Sequence, residues 1–208
     1  MISYERRGKP EGLLGFIFGR QTEYVRRLVP AFSLCLLGFL FSLYVGYYLG
    51  DQIPTELLES VLGGFPDLED FNITMIFLFI IFNNILKSFL WMILGVIGGF
   101  PPLVFTVLNG FFLGNFSYSM ASEYSLEFII AALIPHGIIE IPAILLSSAA
   151  GMGLGYALIN RLRGMGSVKA EFGRAIYLFL TKIVPFLLLA AIVEVTLTPF
   201  IVGGLGFI

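Results

Sequence analysis

The chain has 208 residues, 58% of them hydrophobic and 12% charged, with a mean hydropathy of +0.94 and a formal net charge of −2. That composition excludes an ordinary water-soluble domain, and the absence of a basic excess leaves no nucleic-acid partner to expect. A lone cysteine, Cys35, excludes an intrachain disulfide and leaves the redox compartment unread.

Ten of the twelve basic residues lie in two stretches: Arg6, Arg7, Lys9, Arg20, Arg26 and Arg27 before the first apolar run, and Arg161, Arg163, Lys169 and Arg174 before the last. The polar segments 50–72 and 121–127 carry acids and neither Lys nor Arg. Loop Lys and Arg are held on the cytoplasmic side while acids cross freely. The pattern therefore predicts a multi-pass protein of the cell membrane, with the lipid bilayer as its first partner, its N-terminus cytoplasmic and a basic inner face suited to anionic headgroups. About 30 mostly polar residues precede the first apolar run and no small-residue cleavage pattern follows it, so that run is expected to stay as an anchor.

Residues 1–30 read as a cytoplasmic or interfacial amphipathic segment. Leu13, Leu14, Phe16, Ile17 and Phe18 with Arg20, Arg26 and Arg27 suit a helix lying in the inner interface. Residues 31–208 read as a single helical membrane domain. A crossing needs about 20 residues, and 31–49 supplies the first, with Tyr44, Tyr47 and Tyr48 as an aromatic belt at its outer end. The acidic loop that follows carries Pro54, Gly63, Gly64 and Pro66, with a short surface helix expected over 56–62. The second crossing is 73–94, stopped by Gly95, Gly98, Gly99, Pro101 and Pro102; the third is 103–120. From 128 to 160 there is no loop-like break, and a straight helix of that length measures about 50 Å, too long for one ordinary crossing. The break is expected at Pro135, His136 and Gly137, giving an outer re-entrant or interfacial half-helix over 128–134 and a fourth crossing over 137–158. A fifth crossing, 175–197, leaves the C-terminal residues 198–208 extracytoplasmic. The expected fold is all-α: a polytopic helical membrane protein with about five transmembrane helices, a broken or re-entrant helix and an N-terminal interfacial helix.

Ionisable and amide groups cost a few kcal/mol each at the centre of a membrane helix. That makes the short set Asn83, Asn84, Lys87, Asn109, His136, Glu140, Lys182 and Glu194 informative. Lys87 and Lys182 each stand about two turns from an inner helix end and read as snorkelling cations. His136 and Glu140 are four residues apart and share a helix face, a spacing that can bind a divalent ion, share a proton or satisfy itself by hydrogen bonding. With Asn83, Asn84, Asn109 and Glu194 they form the candidate polar or ion site. The pair is expected to touch, or to meet a common partner such as Asn83, Asn109 or Glu194, toward the outer half of the membrane. No second His and no usable Cys accompany them, and a zinc site usually needs three protein ligands, so neither metal nor other cofactor is expected. No enzyme is expected either, because Ser147 and Ser148 lie about two to three turns from His136, too far to be activated by it. Gly110 with Gly114, and Gly151 with Gly155, have the spacing of four that permits close helix crossing. Packing inside one subunit is one reading of those faces; a homo-oligomer, in its simplest form a dimer, is the other.

At these residues the chain resembles a known family. Phe82-Asn83-Asn84, the stretch from Gly95 to Gly99, Asn109-Gly110 with Gly114, and Pro135-His136-Gly137-Ile138-Ile139-Glu140 followed by Ala149-Ala150-Gly151 are similar to the stage II sporulation protein M family of polytopic membrane proteins. The resemblance runs from about Ala31 to the end and implies that family's membrane fold. In the sporulation case it implies a membrane component acting with partner proteins, including a peptidoglycan-degrading enzyme, during engulfment. Two functions follow as expectations: a non-enzymatic scaffold or accessory component that assembles with itself or with envelope-associated membrane proteins, and, as the alternative, a channel or transporter for an ion or small solute with a site around Pro135 to Glu140. An intramembrane hydrolase ranks behind both.

The topology is open to a direct check. With Ser60→Cys and Ser167→Cys, an impermeant thiol reagent applied to sealed cells should label position 60 and leave position 167 untouched. Labelling at 167 would reverse the orientation.

Overall fold

The computed structural model describes residues 12–53 and 72–205; the surface helix expected over 56–62 lies outside them. In chain order the helices are α1 (Gly12–Phe18), α2 (Thr22–Tyr48), α3 (Ile73–Leu94), α4 (Phe100–Glu123), α5 (Leu126–Leu162), α6 (Val168–Leu178) and α7 (Val184–Gly204). A 3-10 turn, Gly19–Gln21, joins α1 to α2, and a π-helical turn, Phe179–Ile183, joins α6 to α7. No strand occurs among the described residues. The protein is an all-α polytopic membrane protein.

Helix ends follow local chemistry. Asn72, Ser125 and Ser167 cap α3, α5 and α6 by accepting the amides of Met75 at 2.9 Å, Phe128 at 3.2 Å and Ala170 at 3.3 Å. The turn after α3 needs Gly98 and Gly99, whose φ values of 67° and 79° are those only glycine adopts freely. Pro101 and Pro102 open α4 rather than merely ending α3, because a missing N–H costs nothing in a first helical turn.

Helix α2 runs through residue 30, from Thr22 to Tyr48, and Tyr24, Val25 and Leu28 are buried in the main core. One expectation is corrected. The break at Pro135 is absent, and α5 is one helix of 37 residues containing both Pro135 and Pro142. The physical reason is the solvent. Unwinding inside hydrocarbon exposes several backbone groups with no water to meet them, whereas an internal proline forfeits one hydrogen bond. The length problem is met by pairing, because the run Val168–Gly204 is also 37 residues and lies antiparallel to α5. Even near the Leu126 end of α5 the two stay opposed, with Ile130, Ile134 and Pro135 across a groove from Ile201 and Leu205.

Four helical stretches are long and apolar enough to cross a membrane: Gly19–Tyr48, Ile73–Leu94, Leu126–Leu162 and Val168–Gly204. The fifth long helix, α4, has 24 residues but is more polar, and it shelters by lying along α2. These two run parallel, since Gly38 faces Leu103 and Val107, Gly46 faces Phe111, and Gly50 faces Tyr118. The pair α3 and α5 is also parallel: Ser147 Oγ donates to the Ser88 carbonyl at 2.9 Å, and farther along Gly155 meets Gly98 and Gly99. Helix α4 opposes α5, with Pro102 against Gly151 at one end and Ser117 near Leu133 at the other. Thus α2, α4 and α7 point one way and α3 and α5 the other, the alternation a serpentine membrane bundle requires. The core gathers Leu28, Met92, Ala149, Ala150, Leu154, Leu178, Phe179, Ile183 and Leu187 around α5, while Phe41, Phe82, Ile138 and Phe200 project outward as a lipid-facing surface.

The glycine faces are occupied by the chain itself. A Cβ on Gly110 would strike the Phe39 carbonyl, on Gly114 the Leu43 carbonyl, on Gly151 the Met92 carbonyl at 2.8 Å, and on Gly155 the Gly99 amide. Self-association through these faces is therefore replaced by an intrachain role, and Gly46 and Gly95 extend the same two seams. Gly114→Ala and Gly155→Ala should each lower stability by about 1–3 kcal/mol, the range for overpacking a close contact. Thermal unfolding of purified variants at two protein concentrations checks this, and the loss should be equal at both. A loss that grows on dilution would assign the seams to contact between copies.

Candidate functional site

Antiparallel register between α5 and α7 brings three ionisable groups together inside the bundle. Phe186 shares a cavity wall with Pro142 and Leu146, and Ile201 faces Ile130 and Ile134, so Glu194 falls opposite the turn from His136 to Glu140. Ala190 and Ala191, both fully buried, allow α7 to approach closely here. One ligand atom from each of His136, Glu140 and Glu194 lies within 4.8 Å of the others, and all three residues are half-buried. Glu140 stands about 33 Å along α5 from its Leu162 end at 1.5 Å per residue, nearer the Leu126 end.

The electrostatics of this cluster are unfavourable as three bare groups. Two carboxylates within 4.8 Å repel by about 3 kcal/mol or more at an effective dielectric near 20. The ion pair found among the described residues, Arg174 with Glu171, lies in another part of the fold. Nδ1 of His136 is buried and has no hydrogen-bond partner. The arrangement therefore calls for positive charge among the three groups, supplied by a shared proton or a bound cation.

The other candidates lie elsewhere. Asn83 donates to its neighbour Asn84 at 3.3 Å, and Asn109 donates back to the Phe105 carbonyl of its own helix at 2.7 Å; no described contact brings any of the three to the cluster. Ser147 is committed to the Ser88 carbonyl. Lys87 is exposed on α3, while Lys182 is half-buried in the π-helical turn. Of the expected common partners, Glu194 is the one that meets His136 and Glu140, and it turns a pair into a trio.

Sequence reasoning missed a polar group near the start of α6. Arg174 Nε donates to Glu171 Oε2 at 3.2 Å, and the guanidinium groups of Arg27 and Arg174 stand 5.6 and 5.9 Å from the Tyr24 ring centroid. The spacing of Glu171 and Arg174 was a legible helical pair; nothing local could bring Tyr24 to them. Gln21 Nε2 also donates to Thr181 Oγ1 at 2.7 Å, pinning the turn before α2 to the π-helical turn. The apolar groove of about 410 Å³ between α1, α2, α5 and α7 is lined by Phe18, Val29, Phe32, Ile138, Pro142 and Phe186 among others, with no ionisable side chain among the described residues of its wall.

Comparison with known proteins agrees with this architecture. The family model described as stage II sporulation protein M matches residues 31–199. An uncharacterized protein of Methanocaldococcus jannaschii is 31% identical over 182 residues, 86% of this chain and 75% of that protein. A second uncharacterized protein of the same organism is 31% identical over 133 residues, 62% of this chain and 74% of its own length. No solved structure matches the chain. Because the match begins within α2, ends within α7 and takes in the His136 to Glu140 turn, the chain belongs to the stage II sporulation protein M family.

Proposed function

We propose that this protein is a non-enzymatic scaffold or accessory component of a membrane or envelope assembly, multi-pass in the cell membrane with a cytoplasmic N-terminus and an extracytoplasmic C-terminus. The observation that carries this reading is the pair of glycine seams, in which α2 meets α4 and α3 meets α5 backbone on backbone. Helices so closely apposed leave no lumen between them and resist sliding, which suits a part that holds its shape for others to dock against. Its outward apolar side chains offer that contact to lipid, to a further copy, or to envelope-associated membrane proteins. The resemblance to the stage II sporulation protein M family, which in the sporulation case implies a membrane component acting with partner proteins, is in keeping with this reading.

A second reading, transport of an ion or small solute, is favoured by one specific observation: His136, Glu140 and Glu194 converge between two membrane-length helices. Liposome flux separates the two. Purified protein in sealed vesicles should pass protons, K⁺, Mg²⁺ and Mn²⁺ no faster than empty vesicles, as read by entrapped indicators. In native membranes, a photo-crosslinker at the lipid-facing Phe41 or Phe200 should trap a partner of defined mass. Flux that disappears in Glu140→Gln, while that variant keeps its helicity and mass, would move the conclusion to transport.

A further inference from the structure

His136, Glu140 and Glu194 present an imidazole and two carboxylates from two helices, with donor atoms mutually within 4.8 Å. Ligands held at about 2.0–2.2 Å around one tetrahedral ion stand about 3.3 Å apart, so closing onto an ion asks each side chain to move by about 1 Å. That is within the reach of side-chain torsions alone.

Features beyond proximity point to a ligand. Nδ1 of His136 is buried without a partner, and among the described residues no hydrogen bond ties the ring to either carboxylate, the bond a purely structural His and Glu pair would make. Neither glutamate forms an ion pair with Lys or Arg among the described residues. One divalent cation balances two carboxylates and leaves the site with no net charge, the condition under which such groups are stably held in hydrocarbon. One nitrogen and two oxygen donors without a thiolate select a borderline first-row ion such as Zn²⁺, Fe²⁺ or Mn²⁺ over soft Cu⁺, and the imidazole disfavours Mg²⁺ and Ca²⁺. The ligand count that argued against a metal from sequence is met once α7 supplies the third donor.

We propose that His136, Glu140 and Glu194 bind one resident divalent transition-metal ion that clips α5 to α7. The assignment is independent of the scaffold reading, since a resident ion requires no flux.

The test uses the full chain, purified in detergent with a histidine-free tag, loaded with Zn²⁺ and dialysed. Elemental analysis should find about one zinc per chain, and Co²⁺ loading should give visible d–d bands that Zn²⁺ abolishes. Glu140→Gln, Glu194→Gln and His136→Gln should each weaken binding at least about tenfold. A chelator should lower the unfolding midpoint of the unaltered chain and leave that of the variants unchanged. Cobalt spectra of the unaltered chain keep the result independent of how well any variant folds. Featureless cobalt spectra with no chelator effect would overturn the proposal, as would variants that hold zinc as tightly as the unaltered chain.

Discussion

In hydrocarbon, two helices gain nothing by excluding water from between them, so what holds them is close van der Waals contact and the few polar bonds they can share. Along the seams of α2 with α4 and of α3 with α5 that contact is made by backbone on backbone, at Gly46, Gly110 and Gly114 in one and at Gly95, Gly151 and Gly155 in the other. The rest of the bundle takes its spacing from these two close pairs. Helix α5 touches α2, α3, α4, α6 and α7, and its stretch of Ala149, Ala150 and Gly151 is small because so many neighbours converge there. Larger side chains such as Phe179 and Leu187 then fill the spaces farther from the seams.

The same solvent explains why α5 is unbroken. Pro135 and Pro142 would end a helix in water, where freed carbonyls find partners at once. Between apolar neighbours they do not end it, and the cost of a lost hydrogen bond is smaller than that of an unwound turn. Continuity has a chemical consequence, since His136 and Glu140 share a face only while the turn between them stays helical. The equal length of the α6 and α7 run then sets a partner beside that face, and Glu194 comes with it.

Rigid seams and an ionisable trio occupy different helix pairs. The glycine contacts fix α2 to α4 and α3 to α5, whereas α5 and α7 meet through alanines and the polar cluster. The trio therefore lies between two helices that already approach closely through small side chains, and a cation there would add a polar tie to a packed contact. The polar contacts of Gln21 with Thr181 and of Arg174 with Glu171 brace the same α6 and α7 arm near its start.

What the sequence determines here is what depends on local composition. The apolar runs, the asymmetry of loop arginines and lysines, and the caps and glycines at helix ends identify a polytopic helical membrane protein, and Asn72 and Gly95 mark the limits of α3 to the residue. The family resemblance was legible in the same way, because the His136 to Glu140 turn is a contiguous string. Three matters were decided only by tertiary structure. Whether Pro135 breaks α5 depends on the antiparallel partner that supports it, and local propensity weighs the proline without the partner. Whether Gly114 and Gly155 face another copy or the chain's own backbone depends on which helices lie beside them, which a spacing of four does not specify. Whether an intramembrane histidine and glutamate make a pair or a trio depends on the register between two helices, set by packing along their whole length and carried by no single residue.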